Sequence, residues 1–221
     1  MNNQLLTEKY DKVISIGYNC FIKIYLRHIK HEQETHFFDY IGSPMWSVYE
    51  LVKNGFTDLF NIDEYKNEYT IIGQPEIVTN SRYNLKFKHD LSADKFLDEF
   101  EEFKDKYSRR IKRFHDLLMS SERVLFMRFE EIKKNRIVNC AYSEQNKISE
   151  YEYIKLFSKY LRSNFPQLKF KIIFISKTRN DEVDDENNIV TIREIATNKI
   201  TNYLSAGRLI KELLNNKLLL L

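Results

Sequence analysis

Val13-Ile14-Ser15-Ile16-Gly17-Tyr18-Asn19-Cys20 is a short apolar run that meets a glycine, two polar residues and then a cysteine. Phe21, Ile24, Tyr25 and Ile29 follow at helical spacing, so a strand over 13–16 turns into a helix over about 20–30. Gly17 permits the sharp turn, and Asn19 is a good cap for a helix that starts at Asn19 or Cys20. The Cys20 sulfur then lies at the positive end of the helix dipole, where a thiolate is favoured over a thiol. The plainer reading of Cys20 is a small buried core residue, as free cysteines commonly are.

Working outward, the runs at 124–127 and 171–175 share with 13–16 a lack of polar alternation. Strands covered on both faces look like this. The expected fold is therefore α/β: one three-layer domain over 1–221, with its core at about 11–214. Its mainly parallel central sheet is built from 13–16, 124–128, 171–175 and 189–192, with helices on both faces. Ser43-Pro44 reads as a helix start, with Ser43 as cap, for a helix carrying Trp46, Tyr49 and Val52 inward to Asn54-Gly55. Residues 69–88 change period and read as a hairpin-like addition at the sheet edge, from short strands at 69–72, 76–78 and 83–87. Ser92 is placed to cap a long helix whose stripe is Phe96, Phe100, Phe103, Tyr107, Ile111, Phe114 and Leu118. Ser149 caps a helix through Leu161. Residues 131–147, with Cys140, read as a surface loop, 178–188 as an acidic loop, and 203–214 as a last helix.

The composition excludes several classes. Hydrophobic residues make up 43% and charged residues 30% of the 221, an ordinary globular balance. A net charge of +3 with interspersed signs does not point to nucleic acid. No apolar run reaches the length of a membrane span, and residues 1–10 have no apolar signal region. Two cysteines are too few for a disulfide scaffold and fit a reducing compartment, so a cytoplasmic location is expected. Gly17 stands outside any G-x-G-x-x-G pattern and no Walker motif is present. His28, His31 and His36 lack a recognised zinc pattern, so neither metal nor cofactor is expected. The Gly-x-x-Cys corner is similar to the Gly-Asp-Ser corner of small α/β esterases, but no histidine follows His115 to serve that template.

Two blocks carry a family resemblance. The first is Ile14 through Cys20, then Leu26-Arg27, Phe38-Asp39-Tyr40 and Asn54-Gly55-Phe56. The second is Phe87-Lys88-His89-Asp90, then Tyr107 through Phe114 and Val124 through Arg128. Together they resemble a largely uncharacterised, mainly bacterial family named as papain-like cysteine peptidases by inference. Its pattern has Leu-Gly-x-x-Cys and Pro-Phe-Asp-Trp; here Phe37 replaces the Pro and Tyr40 the Trp. The resemblance covers about 11–129 and implies peptidase activity on a peptide or small-molecule substrate. It also implies a papain-like α+β fold as the alternative to the parallel sheet.

A thiol nucleophile needs a base and a group to orient it. Cys20 and His89 are the matched positions with suitable side chains, and Asp39 ranks above Asp90 as the orienting acid. Asp39 could equally pair with Arg109 or Arg110, and Asp90 could cap the long helix. Asn19 is a candidate oxyanion donor. Arg109 or Arg110 could hold a substrate carboxylate or phosphate on the cleft wall, against the plainer reading of a solvated face or internal ion pair. The alternative function, from a different class, is a binding domain or non-hydrolytic enzyme for a small anionic or carbohydrate ligand. It would use Arg109, Arg110, Arg128 and Asp39, with Cys20 only packing. A third reading is an inactive domain that binds a protein partner.

Overall fold

A computed structural model describes residues 9–28, 34–69, 75–92, 94–130 and 148–193. Lys12–Ser15 (β1) leads into Phe21–His28 (α1). Ile41–Gly42 (β2) and Met45–Lys53 (α2) follow, then Tyr65–Tyr69 (β3), Pro75–Asn80 (β4) and Leu85–Phe87 (β5). The long helix Phe96–Leu118 (α3) precedes Arg123–Phe129 (β6), Glu150–Asn164 (α4) and Lys169–Ser176 (β7). The small strand Glu182–Asp184 (β8) and Ile189–Arg193 (β9) complete the order. The expected helix at 203–214 and the loop at 131–147, with Cys140, lie outside the described residues.

β1, β6, β7 and β9 are parallel, in the order β1-β6-β7-β9, and β8 runs antiparallel on the outer side of β9. The register aligns Ile14, Phe126, Ile172 and Ile189 in one row across the sheet. Parallel pairing of β1 is what the α/β reading requires, in place of an antiparallel papain-like sheet. Alternate residues serve opposite faces, and both faces are covered. Val13, Leu125, Met127 and Ile173 pack under Ile22 and Leu26 of α1. Ile14, Phe126, Ile172 and Phe174 join the larger core with α2, α3 and α4. Each such side chain contributes about 1.5–3 kcal/mol when fully buried, which is why the uninterrupted apolar runs were the readable part of the sheet.

Residues 70–74 of the expected addition, and with them most of the strand expected at 69–72, lie outside the described residues; residues 69 and 75–88 do not extend the edge of this sheet. They belong to a second, antiparallel sheet of order β2-β5-β4-β3, with Ile41 opposite Phe87 and Gly42 opposite Lys86. The aromatic stripe of α3 explains the separate layer. Phe87 meets Phe103 and Tyr107 at ring distances of 5.0 and 5.4 Å, and Phe37 meets Tyr107 at 5.4 Å. These edge-on contacts give the small sheet its own core against α3.

Helix starts differ from expectation in two places. Pro44, not Ser43, holds the cap position of α2, and Ser43 lies buried beside it. α3 begins at Phe96 after Lys95 with no side-chain cap, while the Ser92 amide is held by the Glu99 carboxylate at 3.1 Å. Ser149 does cap α4, accepting the Glu152 amide at 3.2 Å. Among the described residues no helix is long and apolar enough to cross a membrane.

Candidate active site around Cys20

β1 ends at the carboxyl edge of the parallel sheet, the edge where α/β proteins build sites. Two left-handed residues follow, Gly17 at φ +83° and Tyr18 at φ +68°. Only glycine fits at 17, because a Cβ there would lie 1.9 Å from the Ser43 hydroxyl and 3.1 Å from the Arg128 guanidinium. Tyr18 is held in place by its amide, which donates to the Ser43 carbonyl at 3.1 Å. Asn19 accepts the Phe21 amide at 2.9 Å, and the Cys20 carbonyl accepts the Ile24 amide at 2.9 Å. Cys20 is therefore the junction between turn and helix, with Asn19 capping from one residue earlier.

Arg128 fixes this corner from below. It is fully buried in β6, donates to the Ile16 carbonyl at 2.8 Å and pairs with Glu150 of α4 at 2.6 Å. A charge inside a buried strand needs such partners, and the signal for it in the sequence is a lone arginine in Val-Leu-Phe-Met-Arg-Phe.

Cys20 is half-buried. Burial raises its thiol above the ordinary value, outweighing its own backbone amide and the Lys88 ammonium, which both favour the thiolate. The helix start alone does not yield a resting thiolate, because desolvation of the charged form is the larger effect.

Asp39 is buried, and its carboxylate accepts the His36 amide at 2.8 Å and pairs with Lys23 of α1 at 3.2 Å. Burial still pushes its carboxyl up, against Lys23 and the His36 amide. Its partner is thus a lysine rather than Arg109 or Arg110, and it makes no hydrogen bond to His89 among the described residues. Lys23 reads as solvent-facing in the helical pattern, which hid this pair.

Asp90 does not cap α3. Its carboxylate accepts Tyr107 at 2.7 Å and Arg110 at 2.9 and 3.4 Å, and pairs with Lys106 at 2.5 Å. Burial pushes this carboxyl up, but these partners together hold it below the ordinary range. Arg110 is buried over the Tyr107 ring at 4.7 Å, while Arg109 is exposed. The cleft-wall candidate Arg110 therefore has its fork filled by a carboxylate of the chain itself.

His89 is exposed at the end of β5, with its ring edge-on to Tyr40 at 6.3 Å. Tyr40 in turn lies 5.9 Å from the Arg110 guanidinium. Among the described residues Cys20 and His89 share no hydrogen bond. Of the expected cluster, then, Asp90 and Arg110 meet directly, His89 and Tyr40 flank them, and Asp39 serves α1. No three His, Cys, Asp or Glu side chains gather as metal ligands would among the described residues. A separate groove of about 650 Å³ lies at the other end of the strands, near Arg123, Lys169 and Asn188.

Residues 11–180 match the family described as "Putative papain-like cysteine peptidase (DUF1796)". The chain belongs to this family. The match spans Cys20, Asp39, His89, Asp90, Arg110 and Arg128 alike. A relative, an uncharacterized protein of Acanthamoeba polyphaga mimivirus, is 27% identical over 143 residues, covering 56% of this chain. The aligned part spans 63% of that relative, less than two thirds of its length. No solved structure matches the chain.

Proposed function

We propose that this family member is a thiol-dependent hydrolase or acyl transferase, a cysteine peptidase in the narrower reading its family's description suggests. Cys20 is the nucleophile and His89 the base. The observation that carries this is the Gly17–Cys20 corner. Two left-handed residues and a buried arginine hold a single thiol at a helix start, on the carboxyl edge of a parallel sheet. Such an investment of strained backbone in one side chain is common at functional sites.

The raised thiol defines the mechanism. A resting Cys20 is protonated, so it attacks only as a base takes its proton, which is the role of His89. His89 reaches the thiol by turning from Tyr40 once an acyl substrate is seated. The sulfur then bonds to the carbonyl carbon and the bond to the leaving group breaks, with His89 returning the proton to that group. Water, or a second acceptor, releases the acyl group from sulfur. The Cys20 backbone amide, just ahead of α1, faces the developing oxyanion, the Phe21 amide being taken by Asn19. Asp39, committed to Lys23, leaves a dyad rather than a triad.

Turnover of a panel of peptide, ester and thioester donors tests this. Cys20→Ser should abolish it, His89→Ala should reduce it about 10²–10⁴-fold, and the double variant should be no worse than Cys20→Ser because the pair acts as a unit. Turnover surviving in Cys20→Ser would overturn the assignment.

A further inference from the structure

The cations around the Cys20 corner are unevenly served. Lys23 is held by Asp39, Lys106 and Arg110 by Asp90, Lys86 by Glu68 at 3.2 Å, and Arg128 by Glu150. Lys88 is exposed, and among the described residues it has no carboxylate partner. Its place is set by backbone pairing. Gly42 lies opposite Lys86, and the next residue after Gly42, Ser43, accepts the Tyr18 amide. The Tyr18 carbonyl lies 3.5 Å from where a Gly42 Cβ would stand. The turn carrying Cys20 thus runs along β2, and β5 delivers Lys88 just past its last paired residue, close enough for its charge to act on the thiol.

We propose that Lys88 holds an anionic group of the substrate, a carboxylate, beside the Cys20 thiol. This rests on the reading of Cys20 as the nucleophile. An ammonium with no carboxylate partner among the described residues, within reach of the thiol by its charge while Lys23, Lys86, Arg110 and Arg128 each hold an acid, selects a substrate that supplies one. It would fix the anionic end of the substrate as a point charge on a flexible stem.

Two measurements decide it. Iodoacetate and iodoacetamide alkylate a thiol by the same displacement of iodide but differ in charge. The ratio of their rates at Cys20, read by peptide mass, should fall about twofold to fivefold in Lys88→Met, the range of an exposed charge pair. It should fall further in Lys88→Glu, and in wild type it should fall with added salt. Equal ratios in all three proteins would overturn the proposal.

The second measurement works without the thiol. In Cys20→Ala, N-acetylglycinate should cause saturable shifts in the backbone amide resonances of residues 18–20 and 88–90. N-acetylglycinamide should not, and Lys88→Met in the same background should abolish the response. No response, an equal response to both compounds, or one that survives Lys88→Met would refute the role of Lys88. Failure of either reagent to alkylate Cys20 would instead count against the nucleophile, leaving the titration to decide on Lys88.

Discussion

His36 is buried, its ring edge-on to Phe114 at 6.3 Å, and its Nδ1 has no hydrogen-bond partner among the described residues. Burial, helped by Lys23 and Arg113, holds the ring neutral and lowers its pKa to about 4. The unfolded ring takes a proton near 6.5. Between those values the unfolded chain binds more protons, so stability falls as pH drops, by at most about 1.4 kcal/mol per pH unit. Asp39 acts with the opposite sign, since a raised carboxyl takes its proton first in the folded state. The contribution of His36 is therefore read as a difference: in urea unfolding at pH 7 and pH 5, wild type should lose more stability than His36→Gln. Parallel losses would show that His36 does not titrate in this window. For Asp39 the expected outcome is structural. Asp39→Asn leaves Lys23 buried without its charge partner and should cost about 3–5 kcal/mol. A stable but inactive Asp39→Asn protein would return Asp39 to the role of orienting acid. Cys20 and Gly17 were legible in the sequence because strand, glycine and helix spacing are local signals. Lys23–Asp39 was not, because the buried side of a short helix carries a charge there.

At the scale of elements, the strand–turn–helix unit depends on residue 17 more than on any cap. Gly17→Ala must hold a side chain at φ +83°, about 1–2 kcal/mol from backbone strain alone, and must displace Ser43 as well. Made in a Ser43→Ala background, the same change should cost less but keep the strain share, as chemical denaturation of the four proteins would show. Equal costs in both backgrounds would mean that the Ser43 hydroxyl is not what Gly17 avoids. α3, α4, β6 and β7 were readable because each carries a long apolar pattern or an uninterrupted apolar run. β2 and β8, with two and three residues, carry no pattern of their own and exist only through their neighbours. The start of α3 was misread for a related reason: Ser92 has the chemistry of a cap, but its amide is taken by Glu99 and the helix begins later.

For the whole molecule, layer order predicts where stability resides. β6 and β7 are long inner strands of a sheet covered on both faces, so their amides should exchange with solvent slowest, only on global unfolding. β8, at the rim with two exposed residues, should exchange much sooner. Hydrogen exchange read by mass spectrometry checks this, and a slowest core found instead in the antiparallel sheet would contradict it. The α/β class was legible from three apolar runs. The second sheet was not, because its defining contact joins Ile41–Gly42 to Lys86–Phe87 across α2, β3 and β4.

One feature of the corner bears on how the chain is made. The guanidinium that holds the Ile16 carbonyl comes from a residue 112 positions later. Closing a loop of that length carries an entropic penalty of about 4 kcal/mol beyond a constant, met only once β6 can pair with β1. A ribosome releases the thiol long before it releases the arginine. During synthesis Cys20 is therefore an ordinary cysteine on an unanchored segment, and it acquires its place only after Arg128 has emerged. A chain halted before Arg128 carries the Cys20 thiol without the contact that anchors its turn, so any reactivity that depends on this corner is switched on by completion of the fold rather than present from the start of translation.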